Sequence, residues 1–276
     1  MLMCRYIQLL NVSQLCYNRR ITDFSTNQHF NILMTILPAI DLKGGVCVRL
    51  RQGRADDVTT YNSNPAAQAR DWREQGGREL HVVDLDGAFA GTPRHAEVIR
   101  AIIAAFGGPV EVGGGLRTPE AVKAVMEAGA TRAIIGSAAL EDPIFLGDMV
   151  AQYGERIAVG IDARNGFVQT RGWVKTTEVK ATDFAKICAE CGVQTIIYTD
   201  TATDGMLGGP NLEQMAAICD AAPTCQITAS GGVSSPQDVA NLKALKRANL
   251  RAAIVGKALY DGRTTLAAMN AAADQN

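Results

Sequence analysis

The sequence has no apolar run approaching the roughly 20 residues a helix needs to cross a bilayer, so a soluble chain with no membrane partner is expected. Histidine is scarce. His29, His81 and His95 are too scattered for a metal centre, and His81 and His95, at a strand start and a helix start, are read as structural. Neither sign of charge dominates, and a formal net charge of -1 supplies no basic field for nucleic acid. There is no GxSxG, no cysteine placed as a nucleophile at a strand end, and no G-x-G-x-x-G after the first strand, which argues against a dinucleotide cofactor. Seven cysteines without a repeated spacing fit reduced thiols and a cytoplasmic setting. The lone CxxC, Cys188 and Cys191, falls with Phe184 and Ile187 at i, i+3, i+4, i+7. It is read as one buried helix face, with metal or redox use as the alternative.

What is present is an ordinary globular composition, 47% hydrophobic and 20% charged, enough for a sizeable core. Residues 1–33 differ from the rest, holding Arg5, Arg19 and Arg20 against one acid, Asp23. They are expected to lie outside the fold, with a transit peptide as the alternative and Met34 as a candidate natural start. From Met34 on, eight short β-branched runs alternate with Ala-rich segments of helical period. The candidate strands are 36–41, 80–85, 109–114, 132–136, 157–162, 195–200, 226–231 and 251–256. The candidate helices are 64–76, 93–107, 118–129, 181–192, 211–221 and 235–247, several opening with Thr, Ser or Asn ahead of Pro. No linker interrupts the series, so a single (β/α)8 barrel over 34–276 is expected.

The chain also repeats itself. Asp41 answers Asp162, 113-GGG-115 answers 230-SGG-232, 135-IGSAAL-140 answers 255-VGKALY-260 and Asp84 answers Asp200, all at offsets of about 120. Two similar half-barrels, about 34–155 and 156–276, would produce this, with each special feature occurring twice about one axis.

In such a barrel the C-terminal strand ends ring the mouth where active sites lie. For Asp84 and Asp200 a cap or turn role competes with a place at the mouth. Asp41 and Asp162 instead follow apolar runs with no helix directly after, each leading through a Gly turn into a second β-like segment, 46-VCVRL-50 or 167-FVQTRGW-173. Opposed carboxylates can divide acid and base work if their environments separate their pKa values. The turns at Gly113, Gly114 and Gly115 and at Gly231 and Gly232 run into helices near Pro119 and Pro236. Bare backbone and a helix N-terminus suit phosphate. Gly136 with Ser137, and Gly256 with Lys257, would complete the two cradles, with Arg117 and Lys257 as candidate charges. The ligand implied is a small molecule with a phosphate at each end.

The stretches 38-PAIDLKGGVCVRL-50, 83-VDLDGA-88, 112-VGGGLRT-118, 134-IIGSAAL-140, 160-GIDAR-164, 198-YTDTATDGMLGGPN-211 and 229-ASGGVSS-235 together resemble the ProFAR isomerase family of histidine biosynthesis, from Met34 almost to the end. The cyclase that acts next in that pathway shares the half-barrel repeat, but usually has Cys-Leu-Asp where this chain has Ala39-Ile40-Asp41. The resemblance implies a cofactor-free Amadori rearrangement of an aminoaldose to an aminoketose. Asp41 would be the base and Asp162 the acid, with Asp204 sharing the proton work and Thr199 orienting a carboxylate. Trp173 would stack on the aminoimidazole ring or cap the barrel. His95, where Asn is expected, and Met206, where Thr is commoner, depart from the family pattern. Residues 171-RGW-173 are similar to a loop of bifunctional relatives that also take phosphoribosylanthranilate. A catalytically silent bis-phosphate binder is a further alternative, and a monomer is expected.

Overall fold

The computed structural model describes residues 33–50 and 57–275. The extension expected at 1–33 thus lies, apart from Leu33, outside the described residues. β1 (Thr35–Lys43) runs on into an antiparallel pair, β2 (Val46–Leu50) and β3 (Val58–Asn62). β4 (Leu80–Asp84), β5 (Val110–Gly113) and β6 (Arg132–Ile135) follow, then β7 (Ile157–Arg164) with its own antiparallel appendage, β8 (Phe167–Thr170) and β9 (Lys175–Lys180). β10 (Thr195–Asp200), β11 (Gln226–Ser230) and β12 (Leu250–Val255) complete the set. Parallel pairing runs β1-β4-β5-β6-β7-β10-β11-β12 and returns to β1, an eight-stranded closed (β/α)8 barrel.

Strand alternation decides which side chains enter the barrel. On β1, Ile36, Ile40 and Leu42 pack outward against the helices, while Leu37 and Ala39 join Ile134, Ala158, Ile197, Ala252 and Ile254 in a second, inner cluster. Asp41 continues that inward face. On β7 the inward series is Ala158, Gly160, Asp162. The barrel is therefore plugged below by aliphatic side chains and ends above in carboxylates.

The helices start where capping chemistry places them. Asn64, Thr118 and Asn211 each accept from the backbone N–H three residues on, and Ser235 forms a capping box with Asp238. Helices at Leu85–Ala90, Pro143–Tyr153 and Leu266–Asp274, and strands β3 and β9, extend the expected set. β3 and β9 escaped because their residues are mostly exposed and show no apolar alternation. The CxxC segment lies on Ala181–Glu190 and its cap, with Phe184 and Cys188 buried.

Asp84 and Asp200 face the connections that follow their strands. Asp84, 1% exposed, accepts from the N–H groups of Gly87 (2.8 Å), Arg94 (2.6 Å) and His95 (3.1 Å). Asp200 accepts from Ala202 N–H (2.9 Å) and Asn211 Nδ2 (2.7 Å). Both are turn-forming groups, and their oxygens are committed to the loops. Asp84→Ala would orphan three backbone donors at a buried site and should cost on the order of 3 kcal/mol. Thermal unfolding should show a melting temperature lower by roughly 10 °C. A melt indistinguishable from the parent would refute the role.

Candidate active site

Asp41 and Asp162 stand on β1 and β7, four strands apart whichever way the ring is followed, and line one cavity at the barrel mouth. Between Asp41 and Asp204 lies Arg49, from β2. Its Nη1 is 2.9 Å from Asp41 Oδ2, and its Nη2 pairs with Asp204 Oδ1. Burial works against the charge on Arg49, but Asp204 and then Asp41 outweigh it and hold the guanidinium pKa above its ordinary value. Arg49 was not among the residues nominated from sequence. The available signal was a lone charge inside the β-branched run 46-VCVRL-50, the same oddity that marks Asp41.

Asp162 has a different environment. Burial pushes its pKa up, hydrogen bonds from Trp173 and Thr199 pull it back, and the neighbouring charge of Asp204 adds to the rise, so the net direction is upward. Thr199 is directly opposite Asp162 in the β7–β10 register, which gives the hydroxyl its reach. Asp204 is likewise raised, by burial, against the opposing pull of Arg49. Within one cavity Asp41 and Asp204 are thus ion-paired to Arg49, while burial pushes the pKa values of Asp162 and Asp204 up.

The glycine turns fall where the repeat places them. Gly113 closes β5 with Gly114 and Gly115 after it, and Gly231 and Gly232 follow β11, directly across the ring. Gly136 with Ser137 and Gly256 with Lys257 do the same after β6 and β12. The two kinds of turn need glycine for different reasons. A Cβ on Gly114 would lie 2.1 Å from the Asp84 carbonyl oxygen, and one on Gly231 2.5 Å from that of Asp200, so neighbouring loops touch backbone to backbone there. At Gly136 an added Cβ would meet nothing within 4 Å. Its bare backbone faces open cavity at the start of Ser137–Glu141.

The nominated charges are engaged within the protein. Arg117 Nη2 donates to the Ala88 carbonyl at 3.1 Å, and Lys257 Nζ pairs with Asp261, whose other oxygen accepts from Tyr61 Oη at 2.7 Å. Both cradles therefore present mainly backbone. Trp173, on the turn between β8 and β9, lines the cavity and donates its ring N–H to Asp162. His81 also lines the cavity, with Nδ1 2.7 Å from Glu111 Oε1. Among the described residues, Asp84, Asp86 and His95 have ligating atoms within 4.8 Å of one another. They are held by hydrogen bonds of their own, His95 Nε2 lying 2.6 Å from Asp86 Oδ2.

Every residue nominated from sequence for catalysis, phosphate or ring contact lines this one cavity. The family described as "Histidine biosynthesis protein" matches residues 35–265. A 1-(5-phosphoribosyl)-5-((5-phosphoribosylamino)methylideneamino) imidazole-4-carboxamide isomerase of Desulforudis audaxviator is 49% identical over 234 residues, covering 85% of this chain and 89% of that protein. The proteins of the same name from Opitutus terrae and Syntrophotalea carbinolica are 50% and 49% identical, each covered to 96% of its length, over 85% and 84% of this chain. With a barrel closed as described and similarity of this extent along it, the chain belongs to the histidine biosynthesis protein family, among its imidazole-4-carboxamide isomerases.

Proposed function

We propose that the chain converts ProFAR, the aminoaldose carrying a phosphoribosyl group at each end, to its phosphoribulosyl isomer by a cofactor-free Amadori rearrangement. The observation that carries this reading is the meeting, in one cavity, of two glycine cradles across the ring and two carboxylates in unlike environments. Backbone N–H groups at the cradles hold the terminal phosphates. The reacting ribose then lies between Asp41 and Asp162, so that remote binding energy becomes orientation.

Asp162, whose pKa burial pushes up, gives its proton to the ribose ring oxygen. The C1–O bond breaks as the nitrogen lone pair forms the protonated Schiff base. Asp41 then removes the C2 proton; the C–H electron pair forms the C1=C2 bond and the C=N π pair returns to the nitrogen. The resulting enol gains a proton at C1 as its hydroxyl loses one, giving the ketone at C2. Arg49 holds Asp41 in place, and Asp204, tied to the same guanidinium, is the nearby group through which protons redistribute. A catalytically silent binder of two phosphates gains nothing from three carboxylates in its cavity, where they repel the ligand's own charge.

The site is complete within one chain, which supports a monomer acting on a small molecule. Cys47, Cys188, Cys219 and Cys225 carry thiols, and no described helix is long and apolar enough to cross a membrane. Both fit a cytoplasmic enzyme.

Asp41→Asn should preserve the fold and ligand affinity while turnover falls by about 10²- to 10⁴-fold, as loss of a proton-transfer group does. Steady-state kinetics with purified aminoaldose checks it, and wild-type turnover in the variant would rule out Asp41 as the base.

The raised pKa of Asp162 has two consequences of defined sign. The protonated form is the acid, so kcat/KM should decline as pH rises through that value. The folded chain also keeps this proton to higher pH than the unfolded chain, so stability falls as pH rises from the unfolded value through the raised one. Asp162→Asn should therefore melt higher than wild type at neutral pH and be inactive. A lower melting temperature in the variant contradicts the assignment.

Gly136→Ala puts a methyl group where a phosphate oxygen is placed by this reading. The KM for the substrate should rise about tenfold or more, worth roughly 1.4 kcal/mol of binding. Unchanged KM and kcat would remove Gly136 from the cradle.

A further inference from the structure

The turn joining β8 to β9 has three consecutive residues in the left-handed region, Arg171 (φ 58°), Gly172 (φ 66°) and Trp173 (φ 69°). Arg and Trp adopt that backbone reluctantly, so their surroundings must hold it. One side is fixed by polar contacts. Arg171 N–H donates to Ser137 Oγ at 2.8 Å, and its Nε lies 3.4 Å from Glu141 Oε1. The other side rests on Phe89. A Cβ on Gly172 would lie 2.7 Å from Phe89 Cε1 and 3.0 Å from Cδ1, so the ring is pressed against bare backbone.

Phe89 is an unusual residue to find there, a phenylalanine still 37% exposed at the mouth of a cavity. It belongs to Leu85–Ala90, a connection that cannot easily shift. Asp84 pins the backbone of that connection at Gly87 and just beyond the helix at Arg94 and His95. Gly91, at its end, lies so close to Arg117 that a Cβ there would be 2.8 Å from Nη1. The anchored partner is therefore Phe89, and the strained one is the turn at 171–173. Directly after the Phe89–Gly172 contact comes Trp173, whose indole N–H reaches Asp162.

We propose that Phe89 is a positioning residue: by packing on Gly172 it clamps the turn from the opposite half of the barrel and holds the Trp173 indole on Asp162. The inference deepens the acid role proposed above and rests on it for its kinetic consequence, while the clamp itself can be read without any substrate.

The sequence contains two tryptophans, Trp72 and Trp173, so a Trp72→Phe protein reports on Trp173 alone. In that ligand-free background Phe89→Ala should raise the acrylamide quenching constant of Trp173 about twofold or more, as a locally opened segment does. Phe89→Leu should largely restore it. Gly172→Ala, which introduces the clash from the other side, should show the same increase if Phe89→Ala does not fold. In turnover, Phe89→Ala should lower kcat about tenfold and move the alkaline limb of its pH profile, with a smaller change in KM. Unchanged quenching in both variants overturns the clamp. A rise in KM alone also overturns it, because it would make Phe89 a direct substrate contact. If wild-type protein fails to turn over the aminoaldose, the functional reading falls, and the quenching result still decides the clamp.

Discussion

The guanidinium of Arg49 sits between Asp41 and Asp204, and the rest of the mouth is arranged around that pairing. Like charges brought together in a partly buried cavity cannot all ionise without compensation. Arg49 pairs with both Asp41 and Asp204, although burial still leaves the Asp204 pKa raised, and Asp162, across the ring, has its burial opposed chiefly by two neutral donors. Under the acid-base reading proposed above, the difference between Asp41, ion-paired, and Asp162, whose pKa burial pushes up, is what would let chemically identical side chains take opposite parts. Arg49 itself arrives on β2, which pairs antiparallel with the end of β1, so Asp41 and the guanidinium paired with it share one hairpin.

Beneath that pairing lies the backbone repeat. β5 and β11, and β6 and β12, are opposite one another in the ring, and each supplies one glycine turn. Gly114 and Gly231 exist because the carbonyls of Asp84 and Asp200 approach too closely for any side chain. The structural aspartates and the glycines of the cradles are thus one device used twice, in which a strand-end carboxylate shapes a loop and the loop's backbone packs on the next turn. Phe89 comes from the first half and the turn at 171–173 from the second, and this contact joins them over the site.

Much of this was legible in the residues. The eight barrel strands show as apolar runs ending in Asp or Gly, and the capped helices show as Thr, Ser or Asn before Pro. The carboxylates and glycine turns stood out because a charge closing a buried strand, or a glycine cluster before a helix, has few structural explanations. Arg49 was missed because β2 is a side hairpin rather than a barrel strand, so the lone charge in 46-VCVRL-50 was visible but its direction was not. His81 was read as structural; that its side chain faces the barrel interior and meets Glu111 is fixed only when the barrel closes. Arg117 and Lys257 were nominated by proximity in sequence, whereas their partners, the Ala88 carbonyl and Asp261, are fixed by side-chain reach in the folded chain.

The amino-acid sequence by itself determined the barrel, its twofold repeat, and the identity of the carboxylates and glycine turns, because alternation, capping and strand-end polarity are local rules that operate within a few residues. Tertiary structure alone decided which carboxylate is ion-paired and which is biased toward protonation, that Trp173 reaches Asp162, and that Phe89 bears on Gly172. Those outcomes depend on burial and on distances between groups far apart in the chain, from Arg49 to Asp204 and from Phe89 to Gly172. No local pattern encodes such separations until the ring has closed.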